Sequence, residues 1–165
     1  MTLTLETRPT DPQLLRKAFA HYPSGIAALA ATVDGTDHVL VTSSFMVGIS
    51  LDPPLVSFAV QNSSQSWPRM RAAHTIGASV VAGHQETLCR QLAGSDRERR
   101  LADVDVHRND DAVFIPEAAA WMECTPYAEH PAGDHTIVVL KVTALHTDDN
   151  TDPLIFHRSR FRPLD

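Results

Sequence analysis

A chain of 165 residues, 43% of them apolar, suits one globular domain with a sizeable core, and the reading is a single domain over 1–165 with residues 1–11 as a flexible tail. Its 20 acidic residues outnumber 14 basic ones, and the net charge of -6 argues against a nucleic-acid surface; the one basic run, Arg97–Arg100, is itself interrupted by Glu98. Two cysteines without metal-ligand spacing, no basic-then-apolar leader in Met1–Pro12 and nothing near the ~20 apolar residues of a membrane span predict a cytoplasmic chain with reduced thiols.

Asp11-Pro12 is an N-cap and first-turn pair, and Leu14, Leu15, Ala18 and Phe19 follow at helical spacing, which predicts a helix over 12–21 closed by Tyr22-Pro23. A strand over 26–33 breaks at Asp34-Gly35, a hairpin signal that makes the run 38–45 its antiparallel neighbour. Asp52-Pro53-Pro54 removes two backbone donors and predicts extended chain leading into a strand over 55–60. Ser66-Trp67-Pro68 reads as the cap of a short helix to Ala73, followed by a strand over 75–82 and a helix over 85–92 with Gly94 past its end. Residues 95–111 are charged and read as a surface loop. Beyond Pro116, two β-rich runs, 118–128 and 135–146, flank Pro131-Ala-Gly-Asp134, a second hairpin signal. About six strands joined by hairpins, with three short helices inserted, predict a mainly antiparallel β-barrel or sandwich.

The seven glycines form neither G-x-G-x-x-G nor G-x-x-x-x-G-K, so a Rossmann turn and a P-loop are both excluded, and there is no G-x-S-x-G or H-E-x-x-H. Nine histidines show no metal spacing, and no metal site is expected. Two features remain. Thr42-Ser43-Ser44 and Asn62–Ser66 are clusters of small hydroxyl and amide residues at the ends of two β-rich runs; they read either as strand ends and caps or as two rims of one anion-binding pocket. Gly133-Asp134-His135 places a carboxylate beside a histidine at a turn, either as a self-capping Asp with an exposed His or as part of a site.

Tyr22-Pro-Ser-Gly-Ile26, Val41-Thr-Ser-Ser44, Ser50-Leu-Asp-Pro-Pro-Leu55, Asn62-Ser-Ser-Gln-Ser-Trp67, Ala120-Trp-Met-Glu-Cys124, Ala132-Gly-Asp-His-Thr-Ile137 and Phe156-His-Arg-Ser-Arg-Phe161 together resemble the flavin reductase family, in family order over about 14–164. Gly-Asp-His combined with Ser-Leu-Asp-Pro-Pro is the specific part. The resemblance implies a six-stranded antiparallel split β-barrel of Greek-key type with short inserted helices, homodimeric, with flavin at the subunit interface. It implies an NAD(P)H:flavin oxidoreductase that takes hydride from NADH or NADPH to FMN or FAD and supplies reduced flavin to a partner monooxygenase or halogenase. Thr42, Ser43, Ser44 and Phe45 would line the flavin ring with Ala59, Val60 and Gln61 beneath it, and Ser63, Gln65 and Ser66 would take the phosphate. His135, with Pro23, Ser24, Phe156 and Arg158, would lie on the nicotinamide side. The chain departs from the family's usual Thr-Ala-Asn-Ser-Phe at Thr42-Ser-Ser-Phe-Met46 and from its Asp-Arg-Phe at Asp96-Arg-Glu98. Two other readings of the same barrel are a non-catalytic flavin carrier and a pyridoxamine-phosphate oxidase-like protein. The latter would need basic phosphate ligands, and Arg69 and Arg71 are the only cations close to the loop in sequence.

Overall fold

The computed structural model describes residues 4–5 and 8–164. Much of the expected tail, residues 1–3 and 6–7, lies outside the described residues.

Helix α1 (Pro12–Phe19) starts where Asp11 accepts a hydrogen bond from the Gln13 amide, and it buries none of its side chains. The strands follow: β1 (Ser24–Gly25), β2 (Ala27–Val33), β3 (Thr36–Thr42), β4 (Met46–Leu51) and β5 (Pro54–Gln61), then the one-turn helix α2 (Trp67–Met70) and β6 (Ile76–Val80). Helix α3 (Glu86–Leu92) precedes the short β7 (His107–Asn109) and β8 (Ala112–Phe114), the long β9 (Ala120–Ala132) and β10 (His135–Thr147), and the small β11 (Ile155–His157) and β12 (Arg160–Arg162). All pairings are antiparallel. Nine strands share one sheet along the path β4-β5-β10-β9-β6-β2-β8-β7 with β3 attached to β2, and β1-β11-β12 form a second. The protein is therefore mainly β, as the sequence implied, but with twelve strand segments in place of six.

The differences have local causes. Met46–Leu51 is a strand that the sequence reading passed over, because Gly48 at φ +70° and a register shift break its apolar alternation. Asp52 and Pro53 do not extend the chain; they are the two-residue turn of the β4–β5 hairpin, and their peptide bond is cis. The charged stretch 95–111 contains β7 and a short 3-10 turn, with the β7–β8 hairpin closed over Asp110-Asp111. The helix expected to reach Ala73 stops at Met70.

Both hairpins read from the sequence are present. Asp34 and Gly35 take φ +50° and +76°, the paired left-handed geometry that a two-residue turn demands, and Val33 faces Thr36 across it. Gly133 and Asp134 connect β9 and β10, with Ala132 opposite His135. Strand β2 is buried on both sides, so its alternation sorts two cores. Leu29 and Ala31 join Phe58, Met70, Ile76 and Leu140, whereas Ala28 and Ala30 join Val39, Val81, Leu92 and Leu154. Strand β8 crosses so closely over Gly77 that an added Cβ would lie 2.2 Å from the Val113 carbonyl oxygen. Only glycine fits there.

Strands β3 and β5 share no backbone ladder among the described residues. The seam between them is bridged by the Ser44 hydroxyl, which accepts from the Ala59 amide at 2.9 Å and donates to the Ala59 carbonyl at 3.1 Å. The sheet thus curls until these two strands meet, and stays split where they do.

Candidate functional site

Thr42 and Ser44 form a saturated pair at that seam. With the Ser44 proton given to Ala59, Thr42 Oγ1 donates to Ser44 Oγ at 2.8 Å and accepts from the Ser44 amide at 3.1 Å. These hydroxyls are consumed by the fold, so what the 42–45 segment offers a ligand is its backbone and the exposed Ser43.

On one side of the seam opens a cleft of about 610 Å³, lined by Thr42, Ser43, Ser44, Ala59, Val60, Gln61, Ser63, Gln65, Ser66 and His135. A second cleft, about 770 Å³, opens on the other side and is lined by Pro23, Ser24, Phe45, Phe156 and Arg158. Ser43 and Ser44 line both. The structure so brings the candidate residues into two chambers sharing one rim. Two placements differ from expectation. Phe45 turns away from the first cleft to pack against the core around Phe58 and Trp67, and His135 lines the first cleft and not the second.

The Asn62–Ser66 rim is held from several directions. The Asn62 amide donates to the Asp134 carbonyl, its side-chain amide to the Gly133 carbonyl, and Thr136 Oγ1 donates to Asn62 Oδ1. Trp67 seats its ring edge-on to Phe58 at 5.2 Å and donates its indole N–H to Glu129. Ser66 is buried, and its hydroxyl accepts from Arg100 Nη1 at 3.1 Å.

Arg100 is the residue that sequence reading missed. Its guanidinium also donates to the carbonyls of Gly94 at 2.7 Å and Val39 at 3.0 Å, tying three segments together at the cleft wall. All its acceptors are neutral, so its charge is left uncompensated by any carboxylate among the described residues. Burial and the neighbouring Arg97 depress its pKa from the usual arginine value. Arg97 itself lines the same cleft. The nearer-in-sequence cations are elsewhere: Arg71 pairs with Glu129 at 3.5 Å, and Arg69 lines a separate groove beside His38. The basic run that looked like diluted surface charge is the positive wall of the serine-lined cleft.

At the other end, the Asp134 carboxylate accepts from His135 Nδ1 at 2.6 Å. That hydrogen bond and the adjacent imidazole hold Asp134 below the usual carboxylate range, so it stays ionised, can only accept, and fixes the ring with Nδ1–H toward the exposed carboxylate and Nε2 on the other edge. Among the described residues no group of three or more His, Cys, Asp or Glu is placed to hold a metal.

The first cleft fits a phosphorylated planar ligand: unpaired hydroxyl and amide donors and two guanidinium groups at one end, backbone and aliphatic walls at the other. Comparison with known proteins agrees with that chemistry. Residues 19–165 match the flavin reductase like domain family. A flavin reductase from Pseudomonas putida is 31% identical over 152 residues, covering 92% of this chain and 89% of that protein. An NADH-dependent flavin reductase from Rhodococcus is 33% identical over 161 residues, 94% of this chain and 90% of the other. Among solved structures, the NADH:FAD oxidoreductase of Streptomyces globisporus, in complex with NAD and FAD fragments, superposes with a TM-score of 0.90 at 26% identity, over 98% of both chains. The flavin reductase component of a bacterial two-component tryptophan halogenase does so with 0.86 at 28%, over 93% of this chain and 98% of that one. With the family match covering residues 19–165 and relatives above 30% identity over nine-tenths of the chain, the chain belongs to the flavin reductase like domain family.

Proposed function

We propose that this protein is an NAD(P)H:flavin oxidoreductase that reduces FMN or FAD with a nicotinamide coenzyme and passes the reduced flavin to a flavin-dependent oxygenase or halogenase. The observation that carries this reading is the pair of clefts with a common rim at Ser43–Ser44: a flavin in one and a nicotinamide in the other are brought against each other at that rim.

Flavin, when bound here, would supply the redox chemistry as the acceptor of a hydride equivalent. The protein's residues position and stabilise. Ser63, Gln65 and Ser66, with Arg97 and Arg100 behind them, hold the phosphate; the half-buried Arg100 guanidinium orients the Ser66 hydroxyl. The backbone N–H groups of Ser43 and Phe45, flanking the locked Thr42–Ser44–Ala59 bonds, offer preorganised donors for negative charge arising on the ring, with no reorganisation at the moment of transfer. Ala59, Val60 and Gln61 form the floor beneath it. Pro23, Ser24, Phe45 and Phe156 shape the coenzyme cleft. His135, pinned by Asp134, presents Nε2 at the first cleft and orients the reacting rings without acting as an obligatory proton donor.

A homodimer belongs to this reading, and an exposed apolar surface supports it. The edge strand β4 exposes Met46, Val47 and Leu51, and Tyr127 and Ile137 extend an uncovered apolar surface onto β9 and β10. Cytoplasmic residence fits two buried free thiols, one of them, Cys124, with its pKa pushed by burial and Glu123 up to about 12. No helix among the described residues is long and apolar enough to cross a membrane.

The alternative of a flavin carrier is separated by one assay: NADH and NADPH consumption by the purified chain with excess FMN, FAD or riboflavin. A reductase turns over many equivalents. Consumption limited to one equivalent per chain sinks the enzyme reading.

A further inference from the structure

A third cavity, about 500 Å³, opens between the end of α1 and the β11–β12 turn, lined by Arg16, Lys17, Ala20, His21, Arg158 and Ser159. Arg16, Ala20, Arg158 and Ser159 also line the second cleft, so the two are continuous. Three of the six lining residues are permanent cations, and none of them is in an ion pair among the described residues. Among the described residues no carboxylate lines the notch. Part of the charge on Arg16 and Lys17 offsets the negative end of α1, and the rest faces the cavity.

The turn that brings Arg158 here is built against its own preference. Arg158 and Ser159 sit at φ +52° and +59°, where glycine is the natural occupant, yet the Arg158 amide is anchored to the Ala20 carbonyl at 2.8 Å and its guanidinium reaches His21 Nδ1 at 3.4 Å. Glycine at 158 would ease the backbone and lose the charge. The chain keeps the charge.

Resting on the reductase reading above, we infer that this notch docks a phosphate group of the nicotinamide coenzyme, with Arg16, Lys17 and Arg158 as its ligands, and that it sets which coenzyme the protein accepts where that group is the 2′-phosphate. The geometry is a relay of shared walls: Ser43–Ser44 join the flavin and nicotinamide clefts, and Arg16 and Arg158 join the nicotinamide cleft to the cationic notch. A dinucleotide lying with its nicotinamide at the first junction carries its remaining phosphates toward the second. Two phosphates could be the one held, the bridging pyrophosphate or the 2′-phosphate of NADPH, and the probes below tell them apart.

Calorimetric titration of the purified chain with 2′,5′-ADP and with ADP is compared across the parent, Arg16→Glu/Lys17→Glu and Arg158→Gly. The parent binds, with affinity that falls as salt rises, and both variants bind at least about tenfold more weakly. Loss for 2′,5′-ADP alone identifies the 2′-phosphate and predicts NADPH preference; equal loss for both probes identifies the pyrophosphate. Arg158→Gly melts at the same or a higher temperature than the parent, which a merely structural role for Arg158 would not allow. FMN affinity by fluorescence quenching stays unchanged in both. A parent that binds neither probe, or variants that bind as well as the parent, overturns the inference. A parent that binds 2′,5′-ADP but oxidises neither NADH nor NADPH refutes the reductase reading and leaves the notch standing.

Discussion

The Ser44 hydroxyl clamps both backbone polar groups of Ala59, amide at 2.9 Å and carbonyl at 3.1 Å, and this two-sided bond spans the seam between β3 and β5, which share no backbone ladder among the described residues. The flavin rim and the closure of the sheet are therefore one feature.

Removing that clamp tests both roles at once. Ser44→Ala leaves the Ala59 amide without its partner and is expected to cost about 1–2 kcal/mol, read as a lower urea midpoint at unchanged slope. Flavin affinity falls with it, because the 42–45 amides lose their fixed positions. Wild-type affinity in a destabilised variant would separate the seam from the site.

The Asp134–His135 bond predicts a linked effect on flavin binding and hydride transfer. Asp134→Asn frees the imidazole and His135→Ala deletes it; both slow hydride transfer, by roughly three- to tenfold for Asp134→Asn, consistent with loss of a positioning contact. Because His135 lines the flavin cleft, flavin binding, followed by fluorescence quenching, weakens in both. Identical steady-state kinetics in both variants would remove His135 from the site.

Arg97 is exposed, uncapped by any acid among the described ion pairs, and faces the serine rim. Arg97→Glu is expected to weaken FMN binding by about tenfold at low salt, shrinking as ionic strength rises, while riboflavin, which has no phosphate, binds as before. Equal effects on FMN and riboflavin would place the phosphate elsewhere.

What the sequence revealed follows from how local each signal is. Asp34-Gly35 and Gly133-Asp134 carry their turn geometry in two adjacent residues, and the hairpins stand where those dipeptides put them. The serine clusters at 42–44 and 62–66 were legible as strand ends, and their union as two rims of one pocket was one of the two readings the residues themselves offered. Arg97 and Arg100 were not legible: they reach the cleft from a segment 31 and more residues downstream, through a fold contact between Arg100 and Ser66 that no periodicity encodes. Strand β4 was hidden by Gly48, and β11–β12 by strands of three residues and a turn made of Arg158 and Ser159 in place of glycine. Ser44 looked like a ligand donor because its hydroxyl is a good one; only the tertiary seam shows that Ala59 has taken it.

Asp37 gives the acid side of the stability profile. Burial favours its neutral form, but the Thr32 hydroxyl and the Arg108 guanidinium both donate to it and hold its pKa below the usual carboxylate range. In the window between the folded and unfolded values the folded state binds fewer protons, so the contribution is complete above the unfolded value and disappears as pH falls through the folded one. Asp37→Asn should therefore lower the urea midpoint at neutral pH, with the gap to the parent closing in acid. A gap independent of pH would assign the loss to packing alone.

The account rests most directly on where flavin lies, and a crystal structure of the chain with FMN bound decides it. The phosphate is predicted among Ser63, Gln65, Ser66 and Arg97, with the ring over Ala59–Gln61 and its edge at the Ser43–Ser44 rim. FMN bound away from the β3–β5 seam, with that cleft empty, would contradict it.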